Sequence, residues 1–260
     1  MVAKPFGIPV YISPYWLIFA AVLVVMYATS VESTLAKVSD RYIVAAAFVL
    51  LLYVSVLVHE LAHCVVARAF RLRVRRVLLY PLGGFSEIEQ EPPTPVQEFA
   101  VSAAGPAISL ALAGIAWLAT KAVPDGLPHL LIDQLFRANL LVAIFNLLPG
   151  LPLDGGRIFR AGIWKLTGRP VTATIAAAWG GRVLAVLLIL VPLAYYQGQF
   201  QSLLGSSFGL WFAFIAGSAF ALPPSHVGAP APLIGMGLQG AIAVGGMLLG
   251  SKLFKRWKQK

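Results

Sequence analysis

Residues 43–63 read IVAAAFVLLLYVSVLVHELAH. Positions 43–58 carry no polar group except the Ser55 hydroxyl and the phenol of Tyr53. A bilayer crossing needs about 20 apolar residues, so this run is nearly a span before its last turn is counted. That last turn holds His59, Glu60 and His63. Such groups are costly at membrane depth, so their presence points to function. Helix positions i and i+4 differ by about 40° around the axis, so His59 and His63 face one way and can close on one ion. Glu60 lies beside that face, placed to act as a base on water and poorly placed to chelate. The plainer alternative is a polar cluster buried for helix packing, and an HExxH pattern inside so apolar a run disfavours it.

The rest of the chain agrees with a membrane setting. Of its 260 residues, 59% are hydrophobic and only 12% charged, with a mean hydropathy of +0.82. A soluble domain would be about half apolar and about a quarter charged. The composition therefore predicts a polytopic membrane protein: an all-α bundle of about six transmembrane helices with a small β-sheet. No hydrophilic stretch is long enough for a second folded unit. The net charge is +10. These basic residues flank apolar spans and form no aromatic-interleaved patch, which excludes a nucleic-acid role and suits contact with anionic lipid. Cys64 is the single cysteine, so no intrachain disulfide forms. Residues 1–13 lack the layout of a cleaved leader, so the first apolar segment is expected to be a retained span.

Spans are expected at 14–30, 42–70, 98–123, 134–148 and 171–196. A short sixth is expected at 208–222, and a Gly-rich segment at 233–249 is a possible seventh. Residues 7–13 look strand-like. Residues 73–90 read as a strand, a turn at Pro81 to Gly84 and a second strand, of which 85–90 is the expected edge. Thr94 or Pro95 starts the third span. With the N-terminus in the cytoplasm, Lys4, Arg68, Arg71, Arg73, Arg75, Arg76, Arg157, Arg160, Lys165 and Arg169 fall on that side, as the positive-inside rule requires. The sheet and the His59–His63 end of the second span are then cytoplasmic. The basic C-terminal end favours six true spans. Residues 1–222 are read as one domain, and 223–260 as an apolar, Gly-rich segment with a basic tail.

Catalytic zinc sites usually have three protein ligands. His129 is read in an external loop and His226 in a late linker, both at the wrong depth. Among the carboxylates, Asp154 alone follows a span returning to the side of His59. As an Asp-Gly pair it also reads as a turn; depth and the elimination of rivals shift it toward a ligand. Asn146, at the end of the fourth span, is a helix-end cap or a substrate-orienting amide. Pro149 and Pro152 cannot continue a helix and expose backbone near a watery cavity.

Three stretches in this order, HELAH at 59–63, AAGP at 103–106 and NLLPGLPLDGGR at 146–157, resemble the site-2 protease family of intramembrane metalloproteases. The likeness covers roughly residues 1–220. It implies Zn2+ held by His59, His63 and Asp154, with Glu60 as catalytic base. It implies an endopeptidase of the cell membrane that uses zinc-activated water to cut transmembrane segments, with a single-span protein such as an anti-sigma factor as substrate. The competing reading is a zinc transporter or metal sensor. That would need a polar path across the bilayer, and the outer halves of the spans are bare of ligands.

Overall fold

The computed structural model describes residues 1–31, 35–80 and 83–195. The expected segments at 208–222 and 223–260, including 233–249, lie outside them. The chain divides into two units, Met1–Leu147 and Leu148–Lys260.

Apolar length sets the helices of the first unit: α1 (Tyr15–Ser30), α2 (Val38–Ala69), α3 (Pro95–Ala122) and α4 (Leu127–Asn146). At 1.5 Å per residue α2 is about 48 Å long, longer than a hydrocarbon core of about 30 Å. It begins earlier than the sequence suggests. Residues 38–41 are polar but helical, with Asp40 in the positive first turn and the Arg41 guanidinium donating to the Leu35 carbonyl at 2.6 Å. Thr94 caps α3, its hydroxyl accepting from the Gln97 N–H. α4 also begins early. Pro128 sits at its start, where the missing N–H costs nothing, so His129 is helical and not in a loop. Asp133 and Arg137, one turn apart, pair at 2.8 Å along it. α2 packs against α1, α3 and α4.

The sheet has three strands in the order β1 (Val10–Ile12), β2 (Val74–Tyr80), β3 (Gly83–Ile88). β1 runs parallel to β2, and β3 antiparallel. β3 is an edge strand, as expected. The face toward α2 carries Val10, Val77 and Leu79, which bury against Leu61 and Cys64. Cys64 is thus a packing residue.

On β2 a register shift between Val74 and Arg76 lets two successive arginines reach one partner. Arg75 and Arg76 both donate to the Glu87 carboxylate. Burial acts to raise the Glu87 carboxyl, but the bonds and charges of Arg76 and then Arg75 outweigh it and hold it below the ordinary glutamate range. A lowered folded pKa means stability present above the unfolded value and lost as pH falls. Hydrogen-exchange protection of the β2–β3 hairpin should begin to fall as pH drops below about 4.3. Glu87→Gln should show the weaker protection at neutral pH and lose this pH dependence; a hairpin indifferent to both changes would contradict the pairing.

In the second unit the described helices are α5 (Asp154–Thr167) and α6 (Pro170–Tyr195), packed on each other. The Asp-Gly pair that also reads as a turn opens α5. Asp154 is its first residue, an acid where the helix dipole favours one. Gly168, at φ 68, ends it in the left-handed region that glycine tolerates. Arg182 on α6 stacks over Trp179, 5.0 Å from its ring centre. Among the described residues, α2, α3, α4 and α6 are long and apolar enough to cross a membrane, and α1 is a shorter apolar helix. The protein is a multi-pass, mostly helical membrane protein with a small sheet.

Candidate metal centre

His59 and His63 are buried, with 5% and 7% of their surface exposed, on one stripe of α2. A stripe of α3 spaced by four residues faces them: Val101, Gly105, Ser109. His63 Nδ1 lies 2.7 Å from the Val101 carbonyl oxygen. A carbonyl can only accept, so Nδ1 carries the proton and the lone pair sits on Nε2. His59 Nδ1 lies 2.9 Å from Ser109 Oγ, and the same tautomer results when it donates there. Both Nε2 atoms point at Gly105. A Cβ built on Gly105 would clash with His63 Nε2 and lie 2.5 Å from His59 Nε2. Glycine therefore leaves a small space into which two imidazole lone pairs converge. That donor set suits a borderline divalent ion such as zinc.

Glu60 lies on the adjoining stripe, beneath the sheet. Ser86 Oγ of β3 is 2.6 Å from Glu60 Oε2. Gly84 approaches so closely that a Cβ there would lie 2.9 Å from Glu60 Cδ. One helix thus turns its histidines to α3 and its glutamate to the edge strand. Higher in the same helix, Ser55 accepts from the buried Asn139 amide of α4 at 3.2 Å. Asn146 is the last residue of α4, and its Nδ2 donates to the Val142 carbonyl at 3.0 Å.

Asp154 belongs to the second unit, where glycines fix the loop before it. The Leu153 N–H donates to the Gly150 carbonyl at 2.9 Å, and the Gly156 N–H to the Leu153 carbonyl at 3.0 Å. A Cβ on Gly156 would lie 2.6 Å from the Gly150 oxygen, and one on Gly181 of α6 would lie 2.6 Å from the Leu151 oxygen. Backbone approaches of this kind tolerate no side chain.

Sequence reasoning missed Ser109, the Val101 carbonyl, Ser86 and the glycine pair 180–181. The i, i+4 spacing of Val101, Gly105 and Ser109 was a usable signal for the first two. Nothing in the sequence marks Ser86.

The chain is similar to several known proteins. The sequence profile of peptidase family M50 matches residues 47–126 and 119–191. The chain is 42% identical over 184 residues to Rip3 of Mycobacterium tuberculosis, covering 69% of this chain and 46% of that one. It is 32% identical over 213 residues to the zinc metalloprotease MJ0392 of Methanocaldococcus jannaschii, covering 76% and 58% respectively. It thus spans about half the length of the curated relatives it matches. The solved site-2 protease from Methanocaldococcus jannaschii superposes with a TM-score of 0.58 at 26% identity, covering 84% of this chain and 92% of that one. With a profile spanning more than half its length and a histidine pair turned toward one glycine, the chain belongs to peptidase family M50, the site-2 protease family.

Proposed function

We propose that this protein is an intramembrane zinc endopeptidase that cleaves a transmembrane segment of a membrane protein. The observation that carries this reading is the His59–His63 pair, buried in an apolar helix with both Nε2 atoms turned to Gly105. Asp154 is the third ligand in this proposal, and the relatives' shared family supports it. When bound, zinc supplies Lewis acidity, polarising a carbonyl and making water nucleophilic near neutral pH. Glu60 takes the proton from the attacking water and returns it to the leaving amine. The Val101 carbonyl and Ser109 hold the imidazole rings in one orientation. Asn146 orients the substrate backbone through its amide.

A substrate helix hides its carbonyls in internal hydrogen bonds and must unwind before it is cut. The unwound segment pairs with the β3 edge by strand addition, which presents its backbone beside Glu60. The substrate is a single-span membrane protein of the anti-sigma-factor kind. The bias of basic residues supports a cytoplasmic position for the sheet and the metal. Residues 1–222 form the protease domain in this scheme, and 223–260 a separate tail.

The test is cleavage of a single-span reporter in proteoliposomes. Chelation should abolish it and added Zn2+ should restore it. Zinc flux across the vesicles without any cleavage would replace this reading with the transporter.

A further inference from the structure

The sheet meets α2 through a single face, and the composition of that face changes at its edge. β1 and β2 give it Val10, Val77 and Leu79, packed on Leu61 and Cys64. β3 continues it with Gly84, opposite Leu79, and Ser86, opposite Val77. Two small residues therefore replace aliphatic ones where the sheet passes over Glu60. Gly84 leaves no space: a Cβ would lie 2.9 Å from Glu60 Cδ and 3.0 Å from Oε1. Ser86 Oγ meets two acceptors, Glu60 Oε2 at 2.6 Å and the Glu60 carbonyl at 3.0 Å. A hydroxyl has one proton, and the shorter contact to a carboxylate takes it. Cys64, one turn below Glu60, packs into the apolar cluster with Val10, Val77 and Leu79.

We propose that Ser86 is a positioning residue for Glu60, fixing the carboxylate beneath β3 so that the strand and the base keep one geometry. The proposal rests on the protease reading and deepens it. A glutamate side chain has three rotatable bonds and many rotamers. One hydrogen bond from the strand above, together with the Gly84 backbone, selects among them. Substrate paired to β3 and the group that handles the proton are then held in register by the same strand. The bond is more than a fastening of sheet to helix, because Val10, Val77 and Leu79 already supply that packing.

The experiment compares Ser86→Ala, Ser86→Thr and Glu60→Gln in proteoliposomes with the reporter, reading kcat, KM and zinc per chain. Ser86→Ala should lower kcat by about 10- to 100-fold, the cost of a misplaced catalytic group, with KM and zinc unchanged. Ser86→Thr keeps the hydroxyl, suits a strand and should restore most of kcat. A readout independent of activity comes from hydrogen exchange of β3, which Ser86→Ala should leave as in the wild type because Val10, Val77 and Leu79 keep the sheet seated. Wild-type kcat in Ser86→Ala, a raised KM with kcat intact, or a β3 that loses its protection in Ser86→Ala would each overturn the proposal. If Glu60→Gln is dead while Ser86→Ala is wild-type, the positioning role alone fails. If Glu60→Gln cleaves as well as wild type, the protease reading itself has failed.

Discussion

Glu60→Gln should abolish cleavage while the chain keeps its zinc. The substitution preserves size and leaves both imidazoles, their Val101 and Ser109 partners and the Gly105 space untouched. It removes the carboxylate of α2 that lies beside the histidine stripe and can accept a proton from water. General-base contributions are about 10² to 10⁴-fold, so the loss should reach at least the lower end of that range. Ser86 can still donate to the carbonyl oxygen of the variant's side-chain amide, so the sheet should stay seated. Reporter cleavage and zinc analysis on the same sample check this. Unchanged cleavage would remove Glu60 from the mechanism, and lost zinc would make it a ligand.

Gly105→Ala should cost the metal itself. The added methyl would occupy the space into which both Nε2 atoms point, clashing with one ring and lying 2.5 Å from the other. The rings cannot simply turn away, since His63 Nδ1 is held by the Val101 carbonyl and His59 Nδ1 by Ser109. Either α3 moves off α2 or the imidazoles leave their ligand geometry. Overpacking a close helix contact costs about 1–3 kcal/mol. Disturbing ligand orientation lowers metal affinity by about 10- to 100-fold. Zinc affinity should fall by that factor and cleavage with it. Gly114 lies on the same helix with open space around its Cβ position, so Gly114→Ala should change neither and serves as the control.

Much of this architecture was legible in the residues, for identifiable reasons. Spans announce themselves by apolar length, so α1, α3 and α6 fall close to their expected bounds. Alternation and a Gly-Gly turn gave the β2–β3 hairpin and its edge. α2 and α4 start earlier than apolar length indicates, because polar residues such as Asp40, Arg41 and His129 are helical. Helices extend past the apolar run where capping and i, i+4 pairs satisfy them. α5 was hidden by Asp154, Gly155 and Gly156, which have poor helix propensity and look like a turn. Gly156 makes close backbone contact with the Gly150 loop, which propensity does not see. The histidine pair and Glu60 were legible because one helix carries all three at fixed spacing. Ser109 and the Val101 carbonyl are signalled only by their i, i+4 spacing around Gly105, and Ser86 by nothing, because all three reach α2 through packing of α3 and β3.

The most direct test of the account is a metal analysis of the purified chain beside its Asp154→Ala variant. The proposed ligand set of His59, His63 and Asp154 predicts one zinc per wild-type chain and a large loss from the variant, with the fold intact by circular dichroism. A variant that holds zinc as tightly as wild type would contradict it, as would a wild-type chain that takes up no zinc at all.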